Sequence, residues 1–406
     1  MASWKRTLAL MVGTQFTASL GFSVIYPFLP FYVAQLGSLS NLSTEMLSGL
    51  VYSSPSLTMA IASPFWGAVA DRRGRKPMVV RAAFGAGVMF LLMGFVANTE
   101  QLIALRVLQG LVSGTLAASS ALIVAVTPRE HTGYAMGWLQ VGFWSGNAAG
   151  PVLGGVLADL TGYRVIFVVT AVLLALSGLG VWLGVDEPFV REPDPVKARS
   201  SILRSWRRML ADPRLSATLA LRFLTSIGRS TMAPILPLFV LHVTQSSMGV
   251  GTLTGLITGV ESATSTLSAV YLGRLGDRIG HGRVALASAL VTAAFYVPQG
   301  FVNSVWHLLL LQALSGIGVG GLLPSLSALL AQYSRLGEEG SIYGIESSVM
   351  SAARGIAPLL ASACAIWFSL GGAFLLTAAV FAAVALFASL TVCRPSLAPT
   401  DRQRSA

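Results

Sequence analysis

Two carboxylates and four arginines stand in stretches of this 406-residue chain that are otherwise apolar: Arg106, Arg222, Arg229, Glu261, Glu346 and Arg354. Ionised groups among apolar residues are costly unless they are paired, hydrated or placed on an ion or proton path. The acids can take up and release protons, whereas the arginines keep their charge and tune any acid beside them. Along helices rising ~1.5 Å per residue, Arg229, Glu261 and Arg354 reach one depth, midway along their helices. Arg222 and Glu346 share another, nearer one end. Glu261 can therefore pair with Arg229 or Arg354, and Glu346 with Arg222. Glu261 is the leading candidate for a group that exchanges a proton, with Glu346 second.

The elements that hold these residues must be membrane helices. Apolar residues make up 54% of the chain and charged ones 11%, well below the ~25% charged residues of soluble domains. A spanning helix takes ~20 mainly apolar residues. Twelve such stretches are legible, near 8–36, 46–70, 78–98, 101–126, 133–158, 164–184, 215–241, 250–272, 283–302, 305–332, 341–367 and 371–392. They form two six-helix bundles, 1–184 and 214–392, joined by a polar linker, 185–213, and followed by a tail, 393–406. Within the linker, Ile202–Leu210 is basic and amphipathic, as expected of a segment lying on a membrane surface. The apolar run after Trp4-Lys5-Arg6 is too long for the core of a signal peptide and reads as the first span.

Of the 27 lysines and arginines, 22 fall on one side of this arrangement. The positive-inside rule then predicts cytoplasmic N- and C-termini. The net charge of +11 is dispersed over short loops, with no long basic stripe that would suit nucleic acid. Cys364 and Cys393 are widely separated and carry no metal or disulfide spacing.

The bundles also repeat one another. At an offset of 206, Gly67, Asp71, Arg72 and Gly74 match Gly273, Asp277, Arg278 and Gly280, and Leu105, Gly110 and Gly114 match Leu311, Gly316 and Gly320. At 207, Pro27, Pro30 and Pro151 match Pro234, Pro237 and Pro358. A parallel duplication of this kind predicts a site between the halves near mid-depth.

The loop Gly67-Ala-Val-Ala-Asp71-Arg72-Arg73-Gly74-Arg75-Lys76-Pro77 resembles the signature loop of the major facilitator superfamily, and 273–283 is a weaker copy. Leu20-Gly21 with Pro27 and Pro30, the run from Leu105 through Arg106 to Gly114, and Gly146-Asn-Ala-Ala-Gly150-Pro151-Val-Leu-Gly154-Gly155 resemble three motifs of its twelve-span drug:proton antiporter branch. The opening 4–37 looks closest to the MdtG-type multidrug efflux subgroup. The resemblance implies an all-α fold of two pseudo-symmetric six-helix bundles in a bacterial inner membrane. It implies that the two loops, including Arg75 and Lys76, latch the halves in one conformation, that Arg106 takes part in proton coupling, and that Gly146–Gly155 marks export. It also implies a proton gradient rather than a resident cofactor or metal as the driving force, and a monomer.

Phe22, Tyr26, Tyr52, Phe143 and Trp144 would make an apolar, ring-lined cavity suited to small lipophilic molecules, cations included. A transporter of one metabolite, sugar or lipid is the alternative within the same fold. An intramembrane enzyme is disfavoured: His131, His242, His281 and His307 lie at span ends or in loops, and no catalytic set recurs within the spans. No phosphate-binding Gly-Lys-Ser/Thr loop is present, so no ATPase site is expected.

Overall fold

A computed structural model describes residues 3–128, 131–187, 211–246, 248–333 and 339–392. The surface segment expected at Ile202–Leu210, most of the linker, Cys393 and the tail lie outside the described residues. Fourteen helices are described, and they account for twelve spans. Span one is two helices, Ser3–Val24 and Leu29–Leu36; span two is Thr44–Arg73 and span three Lys76–Met93. Span four is also two pieces, Thr99–Val112 and Thr115–Val126; spans five and six are Thr132–Thr161 and Tyr163–Gly184. Spans seven to twelve are Pro213–Thr244, Val250–Ile279, His281–Gln299, Val305–Tyr333, Glu339–Trp367 and Leu370–Thr391.

The break in span one follows from its prolines. Pro30 has no N–H to give the carbonyl of Tyr26, four residues back. That oxygen accepts instead from Tyr52 Oη of span two, at 2.6 Å. The break in span four falls at Gly114, whose φ of 121° suits glycine. The carbonyls loosened there also find donors: Trp66 Nε1 gives to Leu111 O at 2.6 Å and Arg81 Nη2 to Ser113 O at 3.4 Å. Irregular backbone at membrane depth survives only where such partners exist. Span seven, by contrast, runs unbroken through Pro234 and Pro237, so the duplication is not copied at this point.

Lipid tails give helices no hydrophobic reason to associate, so small residues and close backbone approach carry the packing. Span one and span five show this in register. A Cβ on Gly142, Gly146, Gly150 or Gly154 would meet the carbonyls of Val12, Phe16, Leu20 and Val24 in turn. Each half has its own apolar core. In the first, Phe90, Phe167, Phe28 and Tyr32 interlock, with Tyr32 Oη donating to Met93 O at 2.9 Å. In the second, Tyr296, Phe374 and Phe381 do the same.

Seven of the described helices are apolar and long enough to cross a bilayer by length and composition alone. The spans that fall short have physical reasons. Span four is divided, span nine spends its ends on His281, Arg283 and Gln299, and spans two, five and eight face protein along much of their length and carry small and polar residues there.

Candidate functional site: a cleft between the two halves

The halves meet along two seams, span two against span eleven and span five against span eight. Both seams lie toward the face opposite the chain termini. In the first, Gly49 lies against Pro358 O and Ser362, and Gly355 against Leu57; in the second, Gly255 lies against Pro151 O, Gly155 against Gly251 O and Gly259 against Val152. The two are images of each other, since Gly49 and Gly255 stand 206 apart and Pro151 and Pro358 stand 207 apart. Asp159 ties the second seam at its far end. Its Oδ2 accepts from Thr252 N at 2.7 Å and Thr252 Oγ1 at 2.6 Å, at the first turn of span eight. A carboxylate at a helix N-terminus meets free N–H groups and the positive end of the helix dipole.

Toward the termini the halves part. Gly67, Gly133 and Gly137 have open space around them, and Ile61, Phe65, Leu267 and Tyr271 are largely exposed. The result is a cleft open on the termini side and sealed on the far side.

Of the charged residues read from sequence, Arg229, Glu261 and Arg354 lie near one another, Arg106 lies within the first half, and Arg222 and Glu346 pair within the second. Arg229 of span seven lies over the ring of Trp144 of span five at 5.6 Å, so the contact joins the two halves. Arg229 is also the charged neighbour of Glu261, without a direct ion pair between them. Arg354 donates Nε to Met350 O of its own helix at 3.3 Å and has Arg229 and Tyr26 as electrostatic neighbours. Arg106 is 4% exposed. Its Nη1 donates to Gln109 Oε1 at 2.9 Å, its guanidinium faces the Phe90 ring at 5.6 Å, and its Nε and Nη2 have no hydrogen-bond partner. Arg222 and Glu346 are in direct contact, joined by Ser327 Oγ at 2.8 Å from Arg222.

Tyr26 and Tyr52 stack at 5.8 Å beside Arg106. Phe143 packs edge-on against Trp144, and Phe22 turns instead to Phe90 in the core of the first half. Gly110 of span four meets Pro55 O and Thr58, and Gly316 of span ten meets Glu261 O and Thr264. Position 55 therefore answers to position 261 in the duplication: the acid occupies the site where the first half has a proline.

In the two termini-side loops, Gly74 and Gly280 turn at φ of 95° and 98°. The side chains of Asp71 and Arg72 lie outside the described residues. Asp277 pairs with His281 at 3.3 Å, and Arg278 is exposed. The helix start after the first loop is held by Glu187, whose carboxylate accepts from Arg75 N at 2.9 Å and Lys76 N at 2.8 Å. Glu187 and Asp159 both cap helices from a distant part of the chain. Nothing local in the sequence marks them, because a cap of this kind has no fixed spacing.

The fold is that of a membrane transporter with two six-helix halves. The Major Facilitator Superfamily profile matches residues 11–250 and 218–406, and the chain belongs to that superfamily. It is 35% identical over 398 residues to the multidrug resistance protein MdtG of Salmonella paratyphi B and of Salmonella newport, covering 98% of this chain and 98% of each of theirs. Among solved structures, it is similar to a bacterial homologue of the human lysosomal transporter Spinster, inward-facing and occupied. The TM-score is 0.78 at 14% identity, over 95% of this chain and 96% of that one. A mutant of the nucleoside transporter NupG gives 0.77 at 12% identity, over 94% and 99%.

Proposed function

We propose that the protein exports lipophilic small molecules across a bacterial inner membrane by alternating access, driven by protons, with both termini in the cytoplasm. The observation that carries the reading is the one-sided cleft: sealed on the far face, open toward the basic, termini-bearing face, and holding Glu261 beside Arg229. With that face cytoplasmic, cargo enters from the cell or the inner leaflet. Relatives called multidrug resistance proteins support the same direction and breadth. In this scheme Glu261 releases its proton while the cleft is open to the cytoplasm and takes one when it opens outward. Arg229 lies beside it as a charged neighbour, and Arg106 contributes from the first half. The loops at 67–77 and 273–283 come together only when the cytoplasmic side closes, so they hold the outward-open state. The protein works as a monomer and needs no resident cofactor.

The test is dye accumulation in an efflux-deficient host, with a panel of cationic, neutral and anionic lipophilic dyes. Expression should lower the accumulation of at least one dye, and a protonophore should restore it. Accumulation untouched by expression across the whole panel would favour a transporter of one metabolite instead.

A further inference from the structure

The far face carries a pocket of about 230 Å³ that is separate from the cleft. It lies within the second half, where the far ends of spans seven, nine and twelve meet, and its wall includes Phe239, His242, Gly300, Leu370 and Gly371. The duplication gives the first half the same corner. A Cβ on Gly94 would meet Arg164 O, just as one on Gly300 would meet Gly371 O. Phe167 lies 5.0 Å from Tyr32, and Phe374 lies 4.7 Å from Phe239. Positions 32, 93, 163 and 164 therefore correspond to 239, 299, 370 and 371.

In the first half this corner is occupied by the protein's own rings. Tyr163 stacks on Phe28 at 5.3 Å and stands edge-on to Tyr32, whose Oη donates to Met93 O at 2.9 Å. The second half has cut these side chains back. Tyr163 is replaced by Leu370, Arg164 by Gly371, Phe28 by Ile235, and Tyr32 by Phe239, which has no hydroxyl to give. One replacement runs the other way, from Met93 to Gln299. Gln299 is fully buried, and neither its Oε1 nor its Nε2 has a hydrogen-bond partner among the described residues. A buried amide left so is costly unless something outside the chain completes it. Gln299 directly precedes Gly300 of the pocket wall. It stands a turn outward of Tyr296 on the buried face of span nine that packs against Phe374, and Phe374 in turn packs against Phe239. Its amide is thereby brought to the inner end of the pocket.

From this we infer that the pocket binds a neutral phenolic molecule from the far side, its ring in the space that Tyr163 fills in the first half and its hydroxyl hydrogen-bonded to Gln299. Nothing there selects for charge. The C-terminal end of span nine and the N-terminal end of span twelve meet at Gly300 and Gly371, so their opposite dipole ends offset each other. Among the described residues of the wall, His242 alone can ionise. The site lies off the transport path, and the inference does not depend on the export reading.

N-acetyltyrosinamide and N-acetylphenylalaninamide differ by that hydroxyl alone, and both can be titrated calorimetrically into the purified full-length protein in detergent. Wild type should bind the tyrosine probe saturably, one per chain, and at least tenfold more tightly than the phenylalanine probe. Gln299→Met installs the first half's residue and should erase that preference, leaving the two probes alike. Leu370→Tyr, again the first half's residue, should fill the pocket and abolish binding of both probes without lowering the melting temperature. If that variant melts lower, Gln299→Met decides. Absence of saturable binding, equal binding of the two probes to wild type, or a preference that survives Gln299→Met overturns the inference. Binding undiminished in Leu370→Tyr does so as well, since it would place the probe elsewhere, in the cleft for instance.

Discussion

Glu261 and Glu346 are both acids beside arginines, yet the structure gives them different surroundings. Glu346 is locked to Arg222, which also donates to Ser327, inside one bundle, so its charge is spent on holding spans seven, ten and eleven together. Removing one partner of a buried pair leaves the other uncompensated, at a cost of about 3 kcal/mol. Glu346→Gln or Arg222→Met alone should therefore lower the melting temperature in detergent, and the double variant Arg222→Met with Glu346→Met should recover much of the loss. A double variant no more stable than the worse single one would contradict this. Glu261 has no such bond, and its nearest charge, Arg229, reaches it from a neighbouring span while also touching the other half through Trp144. Glu261→Gln should abolish proton-driven uptake of a transported dye into inverted vesicles; undiminished uptake would remove Glu261 from the coupling scheme. The Arg222–Glu346 pairing was legible in the sequence because depth along a straight helix is a matter of counting. The Tyr52 bond to Tyr26 O was not, since it depends on which carbonyl Pro30 leaves open and on how span two happens to pass it.

At the scale of elements, the sealed far face rests on two glycine–proline seams and on the Asp159 cap of span eight. Asp159→Ala removes two hydrogen bonds from an exposed carboxylate, worth about 1 kcal/mol together after discounting for solvent. That should raise the far-open population about fivefold, read as faster labelling of a Thr254→Cys reporter by a membrane-impermeant maleimide. An unchanged labelling rate would show that Asp159 does not hold the seam. Gly255→Leu should act more strongly, because the added side chain must displace Pro151 O; transport should fall at least tenfold with expression retained. The sequence disclosed half of each seam. Pro151 and its repeat partner Pro358 stand out as prolines in apolar runs, and their offset ties them together. Gly49 and Gly255 share that offset too, but glycines are so frequent in this chain, 42 in all, that neither stands out until the backbones are seen to meet.

Over the whole molecule, the duplication supplies the frame, and the proposed coupling group stands at one of its departures. Both halves repeat the glycine contacts between spans two and four and between spans eight and ten, and both present a seam to the other half. The halves differ where the cleft is charged: Glu261 stands in place of Pro55, and Gln312 in place of Arg106. Span one is broken where span seven is continuous, which brings Tyr26 to the cleft and gives its carbonyl to Tyr52. The twelve spans and their grouping were legible because hydrophobic length and basic loops are properties of composition. Which face the halves close on is not, because both states use the same helices and differ only in tilt.

If the halves rock between two states, distances across the two faces must change in opposite senses. With Cys364 and Cys393 replaced, spin labels at Leu42 and Met248 report the far face, and labels at Arg73 and Asp277 the termini face. Electron–electron resonance on protein in nanodiscs should show the far-face distance lengthening and the termini-face distance shortening together as pH or a bound dye shifts the equilibrium. Distances that stay fixed, or that grow on both faces at once, would contradict alternating access about this cleft.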